Sequence, residues 1–237
     1  MRLLVGGCSL SSGWGFTSDN IDQTWPNLLS KKLDAQLTNV SKAGYDNTGI
    51  FLNLMEQLTS TDFDLCLFQV TAMNRIVISP NAWGCRLFNP LENISEGILS
   101  DPEYSFMAKK FLLINQDIEH WNRLFKIITI IQDLIKQGKQ IKFINGLLHW
   151  DKCFFTNPEN SKFIKNTIVA ENLPDEDIVK FTKILYNQSQ SIDLINWINP
   201  FTSLKNLSVD YISVNDSHPG LQSHKIFADI IFKGITQ

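Results

Sequence analysis

Short apolar runs that alternate with amphipathic stretches constrain this chain's fold more than any other feature. Residues Arg2 to Val5 form an apolar run that stops at Gly6-Gly7, as a buried strand does on reaching a sharp turn. In "TWPNLLSKKLD", Thr24 suits a helix cap and Pro26 its first turn, while Trp25, Leu28, Leu29 and Leu33 share one face. "QLTNVSKAG" reads as a second strand running to Gly44, and Ile50, Phe51, Leu54, Met55 and Leu58 mark the next helix. "DLCLFQVTA" is nearly continuous in apolar residues, the pattern of a strand covered on both faces. "WNRLFKIITIIQDLIKQG" restores a helical stripe that ends at Gly138, and "KQIKFING" follows as a fourth strand. A helix is expected around Glu176 to Tyr186, a fifth strand near Val209 to Ile212, and a closing amphipathic helix in "HPGLQSHKIFADIIFKGI".

Strand and helix in turn specify an α/β protein: a flavodoxin-like three-layer α/β/α sandwich around a parallel sheet of about five strands. Residues 1–237 read as a single domain with irregular insertions near 79–106 and 149–170. The chain has 237 residues, 43% hydrophobic and 19% charged, enough to bury a core without disulfides or structural metal. A formal net charge of −3 argues against a nucleic-acid partner. Cys8, Cys66, Cys85 and Cys153 are scattered with no C-x-x-C pair, so reduced thiols are expected and no metal site. No apolar run approaches the ~18 residues of a membrane span, and no signal peptide is evident, which points to the cytoplasm. Abundant Asn, Ile and Lys hint at an AT-rich genome, viral or bacterial.

Parallel sheets carry their sites beyond the C-terminal ends of their strands. Ser9, Gly44, Asn74, Asp216 and His218 all fall at such ends or in the loops that follow. Singly each has an ordinary explanation in turn chemistry or at the surface. Together they are the types acyl transfer requires. A hydroxyl exposed on a tight turn attacks, a histidine takes its proton, and a carboxylate fixes the imidazole tautomer. A backbone N–H at Gly44 and the amide of Asn74 would meet the oxyanion.

On these residues the chain resembles the SGNH (GDSL-type) hydrolase superfamily. "GCSLS" resembles the first block and aligns Ser9 with its nucleophile; "NVSKAGYDN" resembles the second, with Gly44 as the oxyanion glycine. "QVTAMNR" resembles the third, with Asn74 as the oxyanion asparagine, and "NDSHPGLQSHKIFA" resembles the fifth, with His218 as base and Asp216 as its acid. The resemblance implies the SGNH fold and a serine esterase or deacetylase that needs no cofactor. Its substrates would be short acyl or O-acetyl esters, including those of carbohydrates. Three departures stand out. Cys8 replaces the usual aspartate before the serine, the third block lacks its glycine and following aspartate, and Asn215 occupies the position three before the histidine.

Cys8 remains the alternative nucleophile to Ser9, and Asn215 the alternative to Asp216. Tyr45, Asp46 and Asn47 lie beside the oxyanion glycine, and Tyr45 and Asn47 are the candidates for the pocket lining. His149, just past the fourth strand, is a candidate substrate contact. His224 is expected to pack or cap, and His120 to be a surface residue. Trp83, Arg86 and Phe88 in the first insertion either contact substrate or anchor their loop. Two other readings share this fold: a non-catalytic glycan- or protein-binding module, and an O-acyltransferase. Oligomeric state is not legible in the sequence.

Overall fold

The computed structural model describes residues 1–72, 76–77, 87–88, 117–148, 150–161 and 175–237. Five strands form a parallel sheet: β1 (Arg2–Gly6), β2 (Gln36–Asn39), β3 (Leu65–Val70), β6 (Ile141–Asn145) and β7 (Trp197–Ile198), in the order β2-β1-β3-β6-β7. Two short antiparallel ribbons stand apart from it. One pairs β4 (Ile76–Val77) with β5 (Leu87–Phe88), and the other pairs β8 (Tyr211–Ser213) with β9 (Asp216–Pro219).

Among the described residues the α-helices are α1 (Ser9–Ser12), α2 (Trp25–Lys32), α3 (Asn47–Ser60), α4 (Asp117–Lys136), α5 (Lys152–Thr156), α6 (Asp175–Ser189) and α7 (Leu221–Thr236). Helices α2 and α7 pack together, while α3 packs on α4 and α4 on α6. The sheet lies between these groups, and the result is the three-layer sandwich. Burial follows position in the sheet. Every residue of β3 is buried, as is every residue of β1 after Arg2, whereas the edge strand β2 has no buried residue. An aromatic cluster fills the side toward β7: Trp121, Phe125, Trp150 and Phe154 stack with centroids 5.2–6.3 Å apart. Phe143 of β6 lies 4.8 Å from Trp197 of β7, which joins that cluster to the sheet.

Two expectations need correction. The fifth strand of the sheet is Trp197–Ile198, two residues long and too short to register as a pattern. The segment near Val209 to Ile212 contributes instead to the β8–β9 ribbon. There Val214 and Asn215 form the turn, and Tyr211 pairs with Pro219 outside the main sheet. The second strand also stops at Asn39, well before Gly44. Lys42 N–H then donates to Gly7 O at 3.1 Å, so the chain leaves the sheet while staying beside the end of β1.

The strand order sets where a site forms. From β1 the chain moves outward to β2, then returns to β3 on β1's other side. The order thus reverses between β1 and β3, and in open parallel sheets sites form at the C-terminal rim of such a reversal, here next to Gly6-Gly7.

Candidate active site

The turn after β1 is built around glycine and a buried polar strut. Cys8 caps the four-residue α1, and its carbonyl accepts from Ser11 N–H and Ser12 N–H, both at 3.0 Å. Ser9 is the first residue of this turn and is 7% exposed. Cys8 is fully buried, its sulfur pointing back into the core, where Gln69 Nε2–H donates to it at 3.2 Å. The Oε1 of the same amide accepts from the Ser11 hydroxyl. Gln69 comes from the C-terminal end of β3 and is itself fully buried, so its amide braces the residue before Ser9 and the second residue after it.

Two glycines make room for that strut. A Cβ on Gly7 would sit 2.5 Å from Gln69 Oε1, and one on Gly146 would sit 2.0 Å from Gln69 Nε2. The residue before Ser9 is thus a buried thiol with a glutamine amide to serve it. Sequence reading missed Gln69, although a lone amide inside "LCLFQV" was its signal.

The loop from β2 to α3 borders the same turn. Asn39 Nδ2–H donates to Ser11 O at 2.9 Å, and Gly44 has φ = 86°, in the left-handed region that favours glycine. Asp46 caps α3 through Gly49 N–H at 2.7 Å. Tyr45 is buried, with the Lys42 ammonium 5.3 Å from its ring centre. Asn47 is buried too, and both ends of its amide are used: Nδ2–H donates to Thr71 O at 3.1 Å, and Oδ1 accepts from Thr71 N–H at 2.8 Å. It therefore ties the start of α3 to the end of β3. Asn74 and His149 lie outside the described residues, as do Trp83 and Arg86 and the side chain of Phe88.

At the other end of the chain, β9 brings acid and base together. The imidazole Nδ1 of His218 lies 2.6 Å from Asp216 Oδ1, and the same oxygen accepts from His218 N–H at 2.9 Å. The pair is roughly one-third exposed. Those two bonds from His218, the backbone one foremost, hold the Asp216 carboxyl below its usual range, with Lys205 adding a positive charge nearby. Asn215 is exposed in the ribbon turn and the imidazole's carboxylate partner is Asp216. Two residues apart on an extended strand, acid and base lie on the same side of the backbone. Lys205 donates to Ser217 O, the carbonyl between them, and its ammonium lies 4.9 Å from the ring centre of Tyr211.

The two halves meet. Cα atoms of α1, which carries Ser9, come within 8 Å of Cα atoms of β9, which carries His218. Asp210 secures the junction from below: its carboxylate accepts from Gln222 N–H at 2.9 Å and Ser223 N–H at 2.7 Å, capping α7. His224 is structural, 2% exposed, with Nδ1 accepting from Trp25 N–H at 3.0 Å.

No family model matches the chain, and no curated protein matches it by sequence. Solved structures do. The psychrotrophic esterase EstA from Pseudoalteromonas sp., in a structure inhibited by monoethylphosphonate, superposes with a TM-score of 0.53 at 12% identity, covering 99% of this chain and 96% of that one. TesA superposes with a TM-score of 0.51 at 14% identity, covering 99% and 98%. The fold is the one these two structures share, an α/β/α sandwich with a five-stranded parallel sheet. Among the described residues no helix is long and apolar enough to cross a membrane.

Proposed function

We propose that this chain is a serine ester hydrolase that works through an acyl-enzyme on Ser9. The observation that carries the reading is the His218–Asp216 pair on β9 beside the glycine turn of Ser9, at the rim where the strand order reverses. With Nδ1 committed to the carboxylate, Nε2 is the imidazole nitrogen left to exchange protons. His218 takes the Ser9 proton as the oxygen attacks the ester carbonyl, then hands it to the departing alcohol; water repeats the cycle on the acyl-enzyme. Asp216, kept ionised, favours the imidazolium that forms between these transfers.

The oxyanion is assigned to the backbone N–H groups of Ser9 and Gly44 and the amide of Asn74, each such donor being worth about 100- to 1000-fold in rate. Asn47, which holds Thr71, steadies the strand end that leads to Asn74. Tyr45 is assigned to the pocket wall and His149 to a substrate contact. Cys8 is unsuited to attack, because its sulfur is fully buried against Gln69 while Ser9 begins the turn. Short acyl or O-acetyl esters are the proposed substrates, and the reaction needs no cofactor.

The test is hydrolysis of p-nitrophenyl acetate by wild type and Ser9→Ala. Loss of about 1000-fold or more in kcat supports the assignment. Equal turnover overturns it.

A further inference from the structure

Trp14 is 53% exposed, although indole is among the side chains most favoured in contact. It sits in "GWGF" between two glycines in the left-handed region, Gly13 at φ = 76° and Gly15 at φ = 81°. Both glycines are also points of close approach. A Cβ on Gly13 would lie 2.3 Å from Ile21 Cδ1, and one on Gly15 would lie 2.3 Å from Ile212 Cδ1. Phe16 then turns inward to meet the buried His224 ring edge-on at 4.8 Å. The loop is therefore seated on both sides, and its indole is held out by a backbone that has little room to relax.

What the indole faces is specific. Its ring centre lies 6.2 Å from that of His218, with the planes tilted by 46°. Ile212, against which Gly15 rests, belongs to β8, and β8 pairs with β9, the strand of His218. The loop that carries the indole thus rests on the ribbon that carries the imidazole, which sets the spacing between the two rings. A cavity of about 240 Å³ adjoins this loop and ribbon, lined in part by Gly15, Phe16, Asn20, Tyr211, Ile212 and Leu221. Ser9 and His218 are not among its walls, so it is separate from the reacting centre while bordering the Trp14 loop.

We propose that Trp14 selects the alcohol half of the ester, stacking on a flat-faced ring alcohol such as a pyranose. This inference rests on the reading of His218 as the base of an ester hydrolase, and its logic is positional. The imidazole that receives the Ser9 proton returns it to the leaving oxygen, so the alcohol must lie beside the imidazole. The acyl half is placed instead by the oxyanion donors. An aromatic face fixed next to His218 therefore meets the alcohol, and the apolar face of a sugar ring is the surface it complements.

The experiment compares kcat/KM of wild type, Trp14→Ala and Trp14→Phe on three esters: an O-acetylated methyl pyranoside, ethyl acetate and ethyl butyrate. Trp14→Ala is expected to lower kcat/KM for the pyranoside about tenfold more than for ethyl acetate. The ratio of ethyl butyrate to ethyl acetate stays at its wild-type value, and Trp14→Phe recovers part of the loss. Equal losses on pyranoside and ethyl acetate, or a shift in the butyrate-to-acetate ratio, overturn the proposal. Covalent labelling of wild type by a fluorophosphonate separates the two levels. If Ser9 is not labelled, the hydrolase reading fails; if it is labelled and the pyranoside shows no selective loss, only the role of Trp14 fails.

Discussion

Lowering the pH from 7 to 4 should strip stability from this fold through one buried side chain. His224 of α7 accepts a hydrogen bond from Trp25 N–H, the first residue of α2, and packs its ring against Phe16 and Phe227. A protonated Nδ1 would turn that acceptor into a donor facing a donor. Burial pushes the His224 pKa down from 6.5 to about 4, against a smaller opposing pull from the Asp210 carboxylate. The unfolded chain takes up the proton near 6.5 and the folded chain only near 4, so across that window the unfolded state binds more protons. Stability is full above 6.5 and falls as the pH drops through the window. At about 1.4 kcal/mol per pH unit, the gap amounts to roughly 3 kcal/mol. For a chain of this size that corresponds to roughly 6–12 °C in Tm. Urea unfolding at pH steps from 7 to 4 measures it, with His224→Asn as the comparison, since it keeps an acceptor for Trp25 and removes the titration. The difference between the two proteins should shrink steadily as the pH falls. Parallel stability curves for wild type and His224→Asn would refute the reasoning.

The strut under the serine turn should behave as a coupled unit. Gln69→Leu leaves the fully buried Ser11 hydroxyl without the amide that accepts from it and costs about 1–3 kcal/mol, while adding Ser11→Ala recovers about 1 kcal/mol or more. Additive losses in chemical denaturation would show that the two side chains act independently. At the acid–base pair, Asp216→Asn should cut kcat on p-nitrophenyl acetate about 100-fold or more, by releasing the imidazole tautomer now held at 2.6 Å. A kcat equal to wild type would exclude Asp216 from the reaction.

The sheet was readable because its central strands announce themselves. "LLVG" is continuous and "DLCLFQV" nearly continuous in apolar residues, and β1 and β3 lie side by side with both faces covered. β7 was invisible for the opposite reason. Two residues carry no periodicity, and what makes Trp197 a strand residue is the distant Phe143 beside it. The β8–β9 ribbon was misassigned because alternation cannot reveal which partner a short strand will choose, and Tyr211 pairs with Pro219 of its own hairpin. Local backbone chemistry was legible where it is dictated by the residue itself, as with Gly44 in a positive-φ turn. Contacts that depend on long-range packing were not legible. Gln69 serves Cys8 from 61 positions away, and Trp14 meets His218 only because the first and last portions of the chain share a rim.

Intact-mass analysis after incubation with a fluorophosphonate, followed by peptide mapping, tests the central claim most directly. Nucleophilic attack by Ser9 with His218 as base predicts one equivalent of phosphonyl adduct on Ser9, with none on Ser9→Ala and slowed labelling of His218→Ala. An adduct on Cys8 or elsewhere, or a wild-type protein that stays unlabelled while folded, would contradict it.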